Sequence, residues 1–121
     1  MKFSIITVVK NEISKIGLTI KSLKNQSFKD YEHIIFDGES TDGTSELLKK
    51  ISNKKTLYFR KKDKSVYDAL NKSFKKAKGE YFIVLHSGDF FYSKHSLSIL
   101  SRSIDKNKNY DFYYSNILFY N

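Results

Sequence analysis

Three clusters of polar residues in this 121-residue chain each follow an apolar run, and their side chains are of kinds that bind ligands. Thr7, Lys10, Asn11 and Glu12 close the first run. Asp37, Glu39, Ser40, Thr41 and Asp42 follow the second, and His86, Ser87 and Asp89 follow Tyr81-Phe82-Ile83-Val84-Leu85. Asp89 has the most specific setting. Five apolar residues lead towards it, and Gly88 allows a ligand to approach the backbone closely. A carboxylate here could hold Mg2+ or Mn2+ against a diphosphate, because such ions often take only one or two protein carboxylates and fill their shell with phosphate oxygen and water. The ion would stabilise charge on a leaving diphosphate. The competing reading is a cap for the following helix, for which Ser93 is better placed.

The other candidates carry two readings each. Asp37 could accept a hydrogen bond from a base or ribose, or could be a turn residue that bonds its own backbone. One of Ser40, Thr41 and Asp42 is expected to cap the next helix, while Glu39 reads as solvated. His86 reads as a packing residue at a strand end. Asp68 and Asn71 lie three apart, share a helix face and either edge a pocket or meet solvent. Arg60, Lys62 and Lys64 could meet phosphate, with a solvated basic stretch as the alternative.

These residues need elements to position them. Residues 3–9 form an apolar, β-branched run suited to a buried parallel strand. Ile13, Ile16, Ile20 and Leu23 recur at helical spacing and predict a helix over about 13–25. His33 to Phe36 predicts a second strand ending at Asp37, and Leu47, Leu48 and Ile51 mark the next helix. Leu57-Tyr58-Phe59 predicts a third strand. A helix over about 65–77 should present Tyr67, Leu70, Phe74 and Ala77 on one face, with Gly79 as its C-terminal stop. Residues 81–85 predict a fourth strand, Leu97, Leu100 and Ile104 a helix over about 95–105, and residues 111–114, extending towards 120, a last strand. Alternating strands and helices imply an α/β layered domain with a mainly parallel sheet. In such sheets ligands bind beyond the carboxyl ends of the strands, which is where all three polar clusters fall.

Composition sets the outer limits. The chain is long enough for one domain with a real core. It has no cysteine, hence no disulfide framework or Cys-based zinc site, and no proline. Twenty-two Lys and Arg against 13 Asp and Glu leave a net charge of +9, which favours anionic partners such as nucleotide phosphates or acidic lipid surfaces. No segment has the roughly 20 apolar residues that span a bilayer. The expected location is cytoplasmic, with peripheral contact at the inner membrane face admitted. The apolar stretch at 117–120 leads us to expect that residues 1–121 belong to something longer.

The residues in these clusters also resemble a known family. Ser4-Ile5-Ile6-Thr7-Val8-Val9-Lys10-Asn11-Glu12 resembles the opening strand of family 2 glycosyltransferases, and the run from Ser22 through Asp37-Gly38-Glu39-Ser40-Thr41-Asp42-Gly43-Thr44 resembles that family's second block. Asp63-Lys64-Ser65-Val66-Tyr67-Asp68-Ala69-Leu70-Asn71-Lys72 is similar to a segment of one of its branches, and Leu85-His86-Ser87-Gly88-Asp89-Phe90-Phe91 to its metal motif. The resemblance implies a GT-A fold, a Rossmann-like three-layer sandwich, with residues 1–121 as the nucleotide-sugar-binding part. It implies inverting transfer of a sugar from a nucleotide-diphosphate donor, UDP-linked as the commoner choice, to a hydroxyl of a glycan or lipid-linked acceptor. By the same resemblance the segment containing Thr7, Val9, Asn11 and Glu12 would line the base and ribose pocket. Asp37 would contact the base, Asp68 and Asn71 would line the donor site, and Asp89 would hold Mn2+ or Mg2+. Where relatives often read Asp-Asp this chain has Gly88-Asp89, which leaves Ser87 as the candidate ribose contact. Many relatives also carry a second acid where Gly38 stands, and Asn where His86 stands. No residue resembles the family's general base, so the catalytic assignment is empty, and the expectation is nucleotide binding without sugar transfer by residues 1–121 alone.

Two other readings compete. A nucleotidyltransferase of related architecture would favour a glycine-rich loop after the first strand, where Lys10-Asn11-Glu12 has no glycine. A basic module binding RNA or an acidic surface would show steep salt dependence. The aromatics, 9 Tyr and 10 Phe, read mostly as core-facing, so no nucleic-acid partner is expected.

Overall fold

The computed structural model describes residues 1–119. Eight elements alternate: β1 (Phe3–Val9), α1 (Ile13–Lys24), β2 (Tyr31–Asp37), α2 (Thr44–Ile51), β3 (Thr56–Arg60), α3 (Val66–Phe74), β4 (Tyr81–Val84) and α4 (Ser96–Lys106). The strands form one parallel sheet in the order β3-β2-β1-β4. β1 and β2 are its centre, and almost every residue in them is buried. This accounts for their continuous apolar runs, since a parallel strand covered on both faces has no side facing water.

The two faces can be read from alternation along β1. Phe3 and Ile5 pack with Leu23 of α1, Tyr31 of β2, and Leu97 and Ile104 of α4. Val9 packs with Ile16 and Ile20 of α1, Ile35 of β2 and Leu48 of α2. The even-numbered positions face α3, whose Phe74 ring lies 5.3 Å from that of Phe82 and whose Lys72 ammonium lies over Phe36. α1 and α2 carry the chain from β1 to β3 along one face. α3 then returns across the other, and β4 lands on the free side of β1. A right-handed crossover in each direction requires this change of face.

Several expectations need correction. The predicted strand at 111–114 is absent, and 111–119 is irregular. No neighbouring strand pairs it there, and a strand with no partner for its amides is not stable in water; Tyr120 lies outside the described residues. Most of this tail's apolar side chains face solvent, including Phe112 at 80% exposure. Phe82, Phe90, Tyr92 and Tyr110 are exposed as well, so the aromatics are less confined to the core than their spacing suggested. α3 buries Ala69 and Ser73 rather than Tyr67, which is 79% exposed. Its small residues set the helix close to the sheet and turn Tyr67 outward.

Gly79 is not the helix stop either. α3 ends at Phe74 with Lys75 as C-cap in ordinary helical conformation. Gly79 is glycine because β1 presses on it. A Cβ there would sit 2.5 Å from the Ser4 nitrogen and 2.6 Å from the Phe3 carbonyl carbon. A small polar knot fixes this approach: the Ser4 hydroxyl donates to buried Glu32 (2.6 Å) and accepts from the Gly79 amide (2.8 Å), and Glu32 also accepts from the Lys78 amide (2.7 Å).

Candidate donor-binding edge

The order β3-β2-β1-β4 reverses direction at β1, so the crevice between the carboxyl ends of β1 and β4 is the topological switch point, where open α/β sheets bind ligands. The loop 10–12 forms one wall and the turn 85–89 the other. Beneath them the Thr7 hydroxyl donates to the Leu85 carbonyl (2.8 Å) and so must accept from Nε2–H of buried His33 (2.9 Å). One hydroxyl thus ties β2, β1 and the start of the turn together. Thr7 is wholly buried and Val9 nearly so, Val9 within the core under α1 and α2. Burial also drives the His33 imidazole down to about 3, so it is neutral at physiological pH.

The loop after β1 is held from across the sheet. α1 begins at N-cap Glu12, which gives no side-chain cap. Its first amides are met instead by the loop after β2. The Asn11 amide donates to Ser40 Oγ (2.8 Å), the Glu12 amide to Thr44 Oγ1 (3.1 Å) and the Ile13 amide to Asp42 Oδ2 (3.1 Å). In return Asn11 Oδ1 accepts from the Thr41 amide at 2.7 Å. Asn11 adopts φ 53°, a left-handed conformation that Asn tolerates better than most residues. The expected capping role of 40–42 is therefore real but serves two helices. At α2 the cap position belongs to Gly43, and Asp42 accepts from the Thr44 amide (3.0 Å) and hydroxyl.

Asp37 is the hub of that second loop. It is completely buried. Its Oδ1 accepts from the Ser40 amide (2.9 Å) and hydroxyl (2.6 Å), and its Oδ2 from the Ser45 and Tyr58 hydroxyls, the latter at 2.8 Å. Burial works to raise its pKa, but these donors outweigh it, and the carboxyl stays below its ordinary range. The bond to Ser40 is the backbone-turning role weighed from the sequence.

The turn at the other wall is pinned to α1. Thr19 Oγ1 donates to the His86 carbonyl (3.3 Å) and accepts from the Gly88 amide (2.9 Å). Gly88 has φ +93°, and the stem of Lys15 lies beside it, with Lys15 Cδ 3.4 Å from an ideal Cβ, an ordinary contact distance. Asp89 projects into solvent, as does His86, which corrects its reading as a packing residue. Ser87 Oγ is buried without a hydrogen-bond partner, and a native structure seldom leaves such a group without a ligand or water to meet it. Farther on, Gln26 Nε2 donates to the Ser93 carbonyl (2.8 Å) and Gln26 Oε1 accepts from the Leu97 amide (3.0 Å). This buried amide caps α4, whose own cap position is His95; Ser93 Oγ only accepts from the His95 amide.

Asp68 and Asn71 lie on α3. Asp68 follows N-cap Ser65, whose hydroxyl accepts its amide (3.2 Å), and its carboxylate takes the Lys72 ammonium (2.6 Å) and the Lys64 amide (3.0 Å). The Lys72 hydrogen bond holds the Asp68 carboxyl below its ordinary pKa. Asn71 is exposed. Asp63, which sequence reasoning passed over, lies beside the end of β2. A Cβ on Gly38 would fall 2.6 Å from Asp63 Oδ2 and 3.5 Å from Lys10 Cδ, so the loop before α3 crosses the β2 edge at a glycine. The glycine itself was the only sequence signal.

Among the described residues no three His, Cys, Asp or Glu side chains gather to hold a metal. That donor set does not suit a cage built by protein alone. It does suit an ion shared with a diphosphate, which needs one exposed carboxylate and oxygen atoms from the ligand; Asp89 would supply the carboxylate. Among the described residues no helix is long and apolar enough to cross a membrane.

Comparison with known proteins agrees with this architecture. The sequence model of glycosyl transferase family 2 matches residues 4–120. An uncharacterized glycosyltransferase of Rickettsia bellii (strain RML369-C) is 36% identical over 100 residues, which is 81% of this chain and 14% of that protein. A PGL/p-HBAD biosynthesis glycosyltransferase of Mycobacterium tuberculosis (strain ATCC 25177 / H37Ra) is 26% identical over 119 residues, 96% of this chain and 46% of that protein. The chain therefore spans less than half the length of these curated relatives. Among solved structures, S. aureus TarS 1–349 in complex with UDP-GlcNAc superposes with a TM-score of 0.83 at 27% identity, covering 89% of this chain and 32% of that one. The mannosyltransferase PcManGT from Pyrobaculum calidifontis shares the fold, with a TM-score of 0.77 at 17% identity. With its four-stranded parallel sheet of GT-A type and a family match over nearly its whole length, the chain belongs to glycosyl transferase family 2.

Proposed function

We propose that this chain binds the nucleotide-diphosphate sugar, UDP-linked, for inverting transfer to an acceptor hydroxyl in polysaccharide or glycolipid synthesis. The observation that carries the reading is the switch point between β1 and β4, where the turn that bears the buried Ser87 hydroxyl and the exposed Asp89 carboxylate follows β4 and is held to α1 by Thr19. The likeness to TarS, whose structure holds UDP-GlcNAc, supports the choice of donor.

Asn11 and Glu12 would border the base and ribose, with Thr7 and Val9 in the strand that leads to them and Asp37 holding the loop that forms the base wall. Ser87 would meet the ribose, Asp68 and Asn71 would edge the donor site from α3, and Asp89 would hold Mn2+ or Mg2+. When bound, the ion supplies charge that stabilises the departing diphosphate. In the transfer the acceptor oxygen bonds to the anomeric carbon as the bond to the diphosphate breaks. The acceptor proton passes to a general base that we assign to no residue here. Because relatives are more than twice as long, we assign donor binding to residues 1–121 and transfer to the longer protein. We place the reaction in the cytoplasm, where the +9 charge favours contact with anionic lipid at the inner membrane face.

Calorimetric titration with UDP, GDP and CDP, with and without Mn2+, tests the reading. Binding of UDP that strengthens with Mn2+ and loses that strengthening in Asp89→Ala is expected. Absence of nucleotide binding, together with tight RNA binding at low salt, would replace this reading with the nucleic-acid one.

A further inference from the structure

We propose that Lys15 is a binding residue for the diphosphate of the donor, a cation supplied by the protein beside Asp89. The proposal rests on the donor-site reading above and adds a residue that the reading does not use. Three observations converge on it.

The first is position. The stem of Lys15 lies along the Gly88 backbone, within 3.4–3.8 Å of where a Cβ would be. A Cβ there would stand at ordinary van der Waals distance from this stem, so the lysine lies against the turn that bears Asp89, and it is the left-handed φ of +93° that favours glycine. The ammonium lies 3.6 Å from Glu12 Oε2, beside the loop that follows β1.

The second is electrostatic. Lys15 is the third residue of α1, and the first turn of α1 contains no acid. The start of a helix carries a partial positive charge that favours acids and disfavours lysine. Folding alone gives this placement little support, because among the described residues its one ion pair is with Glu12, whose carboxylate is 3.6 Å away in a partly solvated contact. Such a pair contributes little to stability. An anion in the crevice would give Lys15 a stronger counter-charge than that pair, while the amides of Asn11, Glu12 and Ile13 stay with Ser40, Thr44 and Asp42.

The third is an unmet donor. Among the described residues Ser87 Oγ, buried on the same turn, has no partner, and no cluster of three metal-ligating side chains exists. The crevice therefore offers a hydroxyl and an ammonium to an anionic ligand but only a sparse protein shell to a metal. A diphosphate bound here receives part of its neutralising charge from Lys15, so binding persists in weakened form when the divalent ion is removed.

The test is calorimetric titration of the chain with UDP, UMP and uridine in EDTA, for wild type, Lys15→Gln and Lys15→Arg. Loss of a charge-assisted contact predicts about tenfold weaker UDP binding for Lys15→Gln, a smaller change for UMP and none for uridine, with Lys15→Arg close to wild type. Lys15 is well exposed, so the melting temperature should not move. UDP affinity in EDTA unchanged by Lys15→Gln would overturn the proposal and leave the donor site standing. An equal loss for uridine would also overturn it, since the effect would not lie at the diphosphate. If wild type binds no UDP even with Mn2+, the donor-site reading fails and this inference goes with it.

Discussion

Replacing Asp37 with asparagine should damage this fold far more than its position at the very end of a strand suggests. The carboxylate is fully buried and accepts four hydrogen bonds, from the Ser40 amide and hydroxyl on one oxygen and from the Ser45 and Tyr58 hydroxyls on the other. An asparagine keeps one acceptor oxygen and turns the other into a donor. It will keep the oxygen towards Ser40, because an N–H cannot reorient, and present its NH2 to the two hydroxyls, which can. Ser45 has a second acceptor in the Ser40 carbonyl at 3.1 Å, and Tyr58 has none among these groups. Two charge-assisted bonds are lost and two are weakened. At about 1.5–3 kcal/mol for each bond to a charged group, partly recovered, the cost is about 2–4 kcal/mol. Urea denaturation followed by circular dichroism would measure it, with Tyr58→Phe as a one-bond reference at about 1 kcal/mol. The pH dependence has a definite sign. The Asp37 pKa is lower in the folded chain, so its stabilisation is present above the ordinary value near 4 and is lost as pH falls below that. The gap between wild type and Asp37→Asn should therefore narrow at pH 3. A variant within about 0.5 kcal/mol of wild type at pH 7, below the usual effect of one such bond, would refute the view of Asp37 as the hub that holds residues 38–45.

Two further perturbations follow from the core of the sheet. His33 is neutral when folded, its pKa lowered by burial to about 3 from the ordinary 6.5, so stability is full above 6.5 and falls as the unfolded chain takes up a proton below it. Between pH 7 and pH 5 the loss should be about 2 kcal/mol, and His33→Gln should flatten that slope in urea titrations; an unchanged slope would count against a buried neutral imidazole bonded to Thr7. Gly79→Ala puts a methyl group against the Phe3–Ser4 backbone of a central strand and should cost about 2–3 kcal/mol. A melting temperature equal to wild type would show that the 77–80 turn is free to move away from β1.

How far this was legible in the sequence depended on whether the deciding partner was local. β1 was readable to the residue and β2, β3, β4 and the helices to within a few, because buried parallel strands leave unbroken apolar runs and amphipathic helices leave a period. The edge that gathers the three polar clusters was readable from alternation alone. What escaped were contacts between distant segments. Gly79 looked like a helix stop because glycine serves that role so often, whereas its reason is the strand 75 residues earlier in the chain. Gln26 had no signal at all: it caps an amide 71 residues away. Tyr67 matched a helical stripe, but the small residues Ala69 and Ser73 decided which face met the sheet. The tail at 111–119 has the residue types of a strand, yet forms none, since a strand also needs a neighbour. At the site, Asp89 and Ser87 could be singled out by type and spacing, while Lys15 and Asp63 show their place only through the glycines they touch.

The central claim is that a nucleotide diphosphate and its metal occupy the crevice between the ends of β1 and β4. Paramagnetic broadening by Mn2+ tests it most directly, using backbone amide spectra of the labelled chain in the presence of UDP. The account predicts that trace Mn2+ broadens the amides of 86–89 and 11–15, spares those around Glu32 and Lys78 at the opposite end of the sheet, and loses the effect at 86–89 in Asp89→Ala. Broadening centred elsewhere, or unchanged by Asp89→Ala, would contradict it.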